Sequence, residues 1–482
     1  MTDSRSTRRS QDLYRRAWDV IPGGTQLLSR RPRIFADGVA PIYATHGRGS
    51  RIFDVDGGEY LDYGMSVSAC ILGYADQCVN DAIKQAVDRG AMYSLNHPAE
   101  IQLAELLCEL IPCAEMVRYA KGGGEANAIA VRIARGVTGR DRVLFCGYHG
   151  WHDWYLASNL DAPHALDQHL LPDIEPLGVP RALAGTSVAF PYGDLPALEQ
   201  LLEAHAGQVA CIIMEPMRSE WPSPGYLEGV RRLADQHNVV LIFDEVTTGF
   251  RHAEGGIQQV LGVVPDVATY AKSLSNGHAM GAVVGRRDVM EPAARMFISS
   301  TNWSDLVGIS AALATLGEIR RRGVPQILAE YGARLQQQFN RTAERIGVDV
   351  RLRGLPQCPL MEVSHAAAAE GATAGNVLPR SSDPGDSSDE PPSPDRASAN
   401  EAHAADDDRK VLALVAQEMA KRYVLFNAHP VHSAAHTDED LQKTIEAAGA
   451  SLQILKRAQD TGSLDASLEV SLARPLFRRL VQ

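Results

Sequence analysis

Val239–Arg251 reads VVLIFDEVTTGFR, and Thr269–Gly285, shortly after it, reads TYAKSLSNGHAMGAVVG. In the first stretch five apolar residues, Val239 to Phe243, form a buried strand that delivers Asp244 and Glu245 to its end. An acid placed there needs a partner. A helix cap or an arginine such as Arg251 would serve, and so would a protonated ring nitrogen. In the second stretch Lys272 ends another apolar run. Its stem can cover an apolar edge while the amine stays in water. Alternatively, the amine is held in a cleft to form a Schiff base with an aldehyde.

The texture around these two stretches alternates. Strands are expected at Val117–Tyr119, Arg142–Cys146, Ala210–Met214, Val239–Phe243, Val267–Ala271 and Ala282–Val284, with helices such as Glu125–Arg135 and Tyr226–Gln236 between them. That alternation predicts an α/β protein with a mainly parallel sheet covered on both faces. Ligands of such sheets gather at the carboxyl ends of the strands. Upstream, IYATHGRGSRIFDVDGGEYLDY predicts two short strands in a hairpin, after a short N-terminal helix and the turn Ile21-Pro22-Gly23-Gly24. Downstream come helices over Leu306–Arg322, Arg409–Arg422 and Asp438–Gln459.

Composition excludes several function classes. The net charge of −12 leaves no long basic stripe to neutralise phosphates, which argues against nucleic acid as the main partner. Ten acidic residues against two arginines fall between His365 and Asp408, so the rest of the chain is only mildly acidic. Residues 366–408 contain no aromatic residue and are rich in Ala, Ser, Asp and Pro; they are expected to form a disordered insertion. The seven cysteines form no CxxC pair or zinc-spaced cluster and read as reduced core residues of a cytoplasmic protein. Paired arginines near the N-terminus lack a following apolar run, which fits an exposed amphipathic helix better than an export signal. No run reaches the ~18 apolar residues of a membrane helix.

Two further strand ends carry chemistry. AKGGGEANAIAVRIAR opens a helix with Gly122, Gly123 and Gly124. Glycines let backbone N–H groups approach an oxyanion, and the helix N-terminus adds partial positive charge, so this is a candidate phosphate cradle. VLFCGYHGWHDWY crowds Tyr148, His149, Trp151, His152 and Trp154 after a strand. Tyr148 suits stacking on a planar ligand, whereas Trp151 and Trp154 equally suit packing against a neighbouring helix or subunit. A phosphate cradle, an aromatic stacker, a carboxylate for a pyridinium and a strand-end lysine together describe a site for pyridoxal 5'-phosphate. There the carboxylate keeps the ring protonated and the lysine, once displaced, moves the α-proton.

LIFDEVTTGFR followed by PDVATYAKSLSNG resembles the signature of the class III aminotransferases, within fold type I of the pyridoxal-phosphate enzymes. IPGG, RIFDVDGGEYLDY, ILGYA, AVRIARGVTGRDRVL, GYHG and AHTDEDLQKTIEA extend the resemblance over nearly the whole chain outside the acidic insertion. In detail it is similar to the branch containing glutamate-1-semialdehyde aminomutase and its aminotransferase relatives. The resemblance implies a large domain with a mainly parallel seven-stranded sheet and a smaller α+β domain built from both chain ends. The corresponding divisions are 1–74, 75–315 and 316–482. It further implies that Lys272 forms the Schiff base and Asp244 meets the pyridine nitrogen. Val246 and Tyr148 would flank the ring, with Gly123 and Gly124 at the phosphate. Thr301 matches a threonine that reaches the phosphate of the neighbouring subunit's cofactor, which makes the protein a homodimer with a shared site.

The chain departs from the pattern in places. Gly124 stands where the family usually has Ser or Thr, and MSVSACILGY, SLSNGHAMGA and Glu220 differ from the aminomutase. Arg30 and Arg31 lie near the stretch where relatives bind a substrate carboxylate, and a solvated basic turn is the simpler reading of SRRPR. The expectation is a cytoplasmic aminotransferase acting on a small-molecule amino donor and a carbonyl acceptor. An intramolecular 2,1-aminomutase or an epimerase on the same site is the alternative, and a non-catalytic cofactor-binding protein the remote one.

Overall fold

Strands whose residues are apolar without interruption can only sit in a sheet covered on both faces, and the centre of this molecule is such a sheet. The computed structural model describes residues 6–32, 36–167, 169, 174–217, 220–364 and 394–470. Its strands are β1 Ala44–Arg48, β2 Arg51–Asp54, β3 Glu59–Asp62, β4 Met116–Ala120, β5 Arg142–Cys146, β6 Ser187–Ala189 and β7 Val209–Met214. They continue with β8 Val240–Asp244, β9 Val267–Tyr270, β10 Gly281–Gly285, β11 Val350–Arg353, β12 Leu360–Val363 and β13 Val424–Leu425.

The large sheet has seven strands in the order β4-β10-β9-β8-β7-β5-β6. From β6 to β9 neighbouring strands run parallel, and only β10 is reversed, against β9 and against β4. The carboxyl ends of β4, β5, β7, β8 and β9 therefore share one edge. Every residue of β7, β8, β9 and β10 is buried. Alternate residues serve opposite faces, as strand geometry requires. Val143, Phe145, Cys211, Ile213, Val240 and Ile242 pack with Ala126, Ile129, Ala130 and Ile133 of the helix Gly123–Thr138. Leu144, Cys146, Ile212, Met214, Leu241 and Phe243 pack on the other side with Leu198, Val230, Ile309 and Leu316 from three further helices.

The stretch expected to be a hairpin is a meander of three strands, β1, β2 and β3, because each of its two turn signals, at Arg48–Ser50 and Asp54–Gly58, reverses the chain. The distant β13 pairs in parallel with β3, so a second sheet joins the two ends of the chain. Its core gathers Leu61 and Tyr63 with Leu335, Phe339, Leu414, Val424 and Leu452. β6, absent from the expected strands, is a three-residue edge strand. Of the acidic segment expected to be disordered, residues 366–393 lie outside the described residues. From Pro394 onward that expectation is corrected: 394–408 begin the helix Pro394–Ala420. Proline suits the first helical position, and no proline or glycine follows it within that span.

Candidate active site

β8 ends in Asp244, which is 4% exposed. Its Oδ2 accepts from Asn127 Nδ2 at 2.7 Å and from His149 Nδ1 at 2.8 Å, and its Oδ1 accepts from the Val246 N–H at 3.0 Å. Asn127 is itself fixed, since its Oδ1 accepts from Thr269 Oγ1 at 2.6 Å. Arg251, considered from sequence as a partner for the acid, goes elsewhere. It is wholly buried and donates to the carbonyls of Ser68 and His432. Glu245 also leaves the site: it is buried under Ile257, Gln258 and Tyr270, which all donate to it, and burial raises its pKa.

One strand over, β9 ends and Lys272 follows with φ of 46°, opening the short helix Lys272–Ser275. A non-glycine residue in the left-handed region is strained, and such strain gathers at functional sites. Lys272 is half-buried, and its Nζ donates to Thr247 Oγ1 at 2.8 Å. Burial lowers the proton affinity of this amine, Arg251 lowers it further, and the carboxylates of Glu215 and Asp244 partly restore it. An amine held below its usual range is more often unprotonated, and so able to attack a carbonyl or accept a proton.

The glycine cradle follows β4. Gly122 caps the helix Gly123–Thr138, and a Cβ on Gly122 would meet no atom within 4 Å. A Cβ on Gly123 would lie 2.7 Å from Val246 Cγ1, so glycine permits the close approach of the helix to the loop after β8. Gly124 packs on Gly150, where a Cβ would lie 2.7 Å from the Gly124 Cα. The N–H groups of the first turn have no carbonyl within their own helix to bind. Above Gly122 the cradle is thus open, and the N–H groups of Gly123 and Gly124 make no hydrogen bond among the described residues.

After β5, Tyr148 is half-exposed and its backbone N–H donates to Glu215 Oε2 at 3.1 Å. Trp154 is buried beside His149, with ring centroids 6.3 Å apart, while Trp151 is 71% exposed. The buried His149 Nε2 has no hydrogen-bond partner among the described residues. Thr301 is exposed. Its short helix, Thr301–Ser304, is tied to the cradle by Trp303 Nε1 donating to Glu125 Oε1 at 3.1 Å. Arg30 Nη2 makes a long contact of 3.4 Å to Ser66 Oγ, and Glu220 is exposed.

The structure therefore brings Lys272, Asp244, Val246, Gly123, Gly124 and Tyr148 to one sheet edge and leaves Thr301 exposed at the start of a neighbouring short helix. It adds four residues to which sequence reasoning gave no role: Asn127, His149, Glu215 and Thr247. Their only sequence signal is position, one turn into the cradle helix or just past a strand end. The donor set suits pyridoxal phosphate. A buried carboxylate without a lysine or arginine partner among the described residues matches a protonated ring nitrogen. The open cradle of unspent N–H groups matches a phosphate.

Comparison with known proteins agrees. The Aminotransferase class-III family model matches residues 34–373. A 3-aminobutyryl-CoA aminotransferase of Cloacimonas acidaminovorans is 36% identical over 367 residues, covering 74% of this chain and 84% of the relative. A glutamate-1-semialdehyde 2,1-aminomutase of Myxococcus xanthus is 39% identical over 336 residues, covering 68% and 76%. A solved structure, the pyridoxal-phosphate internal aldimine form of the Sphingopyxis sp. MTA144 FumI protein, shares the fold with a TM-score of 0.78 at 23% identity, over 96% of this chain and 98% of the other. The chain belongs to the class-III aminotransferase family.

Proposed function

We propose that the chain moves an amino group from a small-molecule donor to a carbonyl acceptor, with Lys272 as the lysine that binds the cofactor covalently. Bound pyridoxal phosphate supplies an aldehyde that exchanges amino groups and a ring that takes up an electron pair from the substrate carbon. Asp244 holds the proton on the ring nitrogen, with Asn127 and His149 fixing the carboxylate. The first-turn N–H groups of Gly123 and Gly124 receive the phosphate, while Val246 and Tyr148 flank the ring. The Lys272 amine, released by the incoming donor, carries the proton away from the donor carbon and returns it at the next position.

The observation that carries this reading is the pair of strand ends: a carboxylate 4% exposed and a half-buried lysine issue from the adjacent, register-matched strands β8 and β9. The acting unit is a cytoplasmic homodimer in which Thr301 serves the partner's phosphate. Support for a second copy comes from exposed apolar residues, among them Val20, Leu95 and Phe297, each at least 79% exposed. Seven free cysteines support a reducing compartment. No helix among the described residues is long and apolar enough to cross a membrane.

The test is made in two steps. Borohydride reduction and peptide mapping should place the cofactor on Lys272, and Lys272→Ala should retain phosphate-dependent affinity without a reducible bond; label on another lysine would overturn the assignment. Stoichiometric enzyme given a donor alone should then release one keto product and later aminate an added acceptor. The donor panel should include 3-aminobutyryl-CoA, and glutamate 1-semialdehyde should be tested beside it. An isomer of the starting compound, or its epimer with solvent deuterium, and no keto product would replace transfer by rearrangement.

A further inference from the structure

The Lys272 amine makes one hydrogen bond among the described residues, to the hydroxyl of Thr247 at 2.8 Å. Both ends of that bond stand on rigid supports. On the threonine side, the Val246 N–H is held by Asp244 Oδ1 at 3.0 Å, and Thr248 Oγ1 contacts Glu245 Oε2 at 3.4 Å. Glu245 is wholly buried, and the Gly249 N–H closes the turn on its carbonyl at 2.8 Å. Residues on either side of Thr247 are thus pinned, and a β-branched side chain has little χ1 freedom of its own.

On the lysine side, the Leu274 N–H bonds the Ala271 carbonyl at 2.9 Å. Ser273 Oγ donates to the Ser68 carbonyl, which Arg251 also holds. Asn276 then clamps the loop, accepting from the Leu72 N–H and donating to the Gly73 carbonyl, each at 2.9 Å. Only the four-carbon stem of Lys272 remains free to turn. A released amine on such a stem would sample many rotamers, and few of them can reach a proton on a bound donor.

We propose that Thr247 is a positioning residue for the catalytic lysine: its hydroxyl oxygen takes one N–H of the released amine and parks the nitrogen beside the reacting carbon. This rests on Lys272 being the lysine that carries the cofactor. The amine donates one N–H to the hydroxyl, so its lone pair is left to accept a proton. A methyl group in place of the hydroxyl removes the stop without changing the volume. A hydroxyl dipole facing Nζ also stabilises the protonated amine, so its loss acts on the proton affinity of Lys272 in a predictable direction. The other charges and titratable groups facing that amine are Glu215 after β7, Asp244 at the end of β8, Arg251, and the half-buried thiol of Cys358.

The test compares Thr247→Val and Thr247→Ser with the parent as full-length chains. Lys272 in cofactor-free protein is labelled with fluorodinitrobenzene across a pH series and read by peptide mass mapping. In Thr247→Val the labelling profile should move down by about one pH unit, the worth of one hydrogen bond to a charged group. The donor half-reaction of loaded enzyme should slow about tenfold with the KM for donor unchanged. Thr247→Ser should restore both. Superimposed parent and Val profiles, with borohydride still mapping the cofactor to Lys272, would overturn the proposal. So would equal shifts in the Val and Ser variants, which would assign the effect to packing. If Thr247→Val does not fold, Thr247→Ala is read against Thr247→Ser by the same criteria. Mapping of the cofactor to a different lysine would instead remove the reading on which the proposal rests.

Discussion

Replacing Asp244 by asparagine keeps the shape of the side chain and removes its charge. In the structure Oδ2 takes two donors, Asn127 Nδ2 and His149 Nδ1, and Oδ1 takes the Val246 N–H. The amide oxygen can keep the first two. Its NH2 then meets the Val246 N–H, donor against donor, so one buried hydrogen bond is lost and stability falls by about 1–3 kcal/mol. The effect on catalysis is larger, because a protonated ring nitrogen loses its counter-charge. A pair of unit charges ~4 Å apart at an effective dielectric of ~20 is worth about 4 kcal/mol, close to a thousandfold in rate. Asp244→Asn should therefore remain folded, bind cofactor more weakly, and run the donor half-reaction about a thousandfold slower. Stopped-flow loss of the visible cofactor band, with donor alone, measures this directly. A half-reaction within tenfold of the parent would refute the reasoning and make Asp244 a structural acid.

Gly123→Ala should destabilise the protein by about 1–3 kcal/mol through overpacking, since the new Cβ would stand 2.7 Å from Val246 Cγ1. Urea melts should show the loss, and adding Val246→Ala should recover part of it; an unchanged melt would show that the helix does not need this approach. The buried His432 and His436 are pushed down to about 3 and about 4 by desolvation. Below pH ~6.5 the unfolded chain takes up protons that these two folded histidines refuse, so stability should fall with acid from there to about pH 4. With His252, also held down to about 3 by burial, the slope should approach ~4 kcal/mol per pH unit, and His432→Gln should remove about a third of it in urea titrations between pH 7 and 5. A slope unchanged by the substitution would dismiss the histidines as its source.

The positions of Lys272 and Asp244 at strand ends were legible in the sequence to within about a residue, because mainly apolar runs mark the strands that carry them. The glycines were legible as a turn opening a helix, and the structure adds why Gly123 in particular has no side chain. His149 was not separable from its neighbours, because five aromatic residues crowd within seven positions and the partner that selects one of them sits on another strand. Arg251 was out of reach for a different reason: an arginine satisfied by the carbonyls of Ser68 and His432 leaves no complementary charge in the sequence to point at it. The helix from Pro394 was obscured by composition, since a segment rich in Asp and Ala reads as solvated whether or not it is helical.

The acidic pair itself shows where a strand rule reaches further than a motif. Residues of β8 alternate between faces, with Val240 and Ile242 turned to the cradle helix and Leu241 and Phe243 to the opposite core. Continued one step, that parity sends Asp244 to the cradle side, where Asn127 waits, and Glu245 to the other. β9 repeats it: Thr269, opposite Asp244 in the register, bonds Asn127, and Tyr270 bonds Glu245. Two carboxylates adjacent in sequence are thus divided by the pleat into one that faces the cradle helix and one that pins the loop beneath it. The proposed service of Asp244 to a ring nitrogen depends on Glu245, which fixes the turn that carries Val246 and Thr247. Moving the strand end by one residue would exchange the two positions and bury Asp244, the acid proposed for the ring nitrogen, under Tyr270.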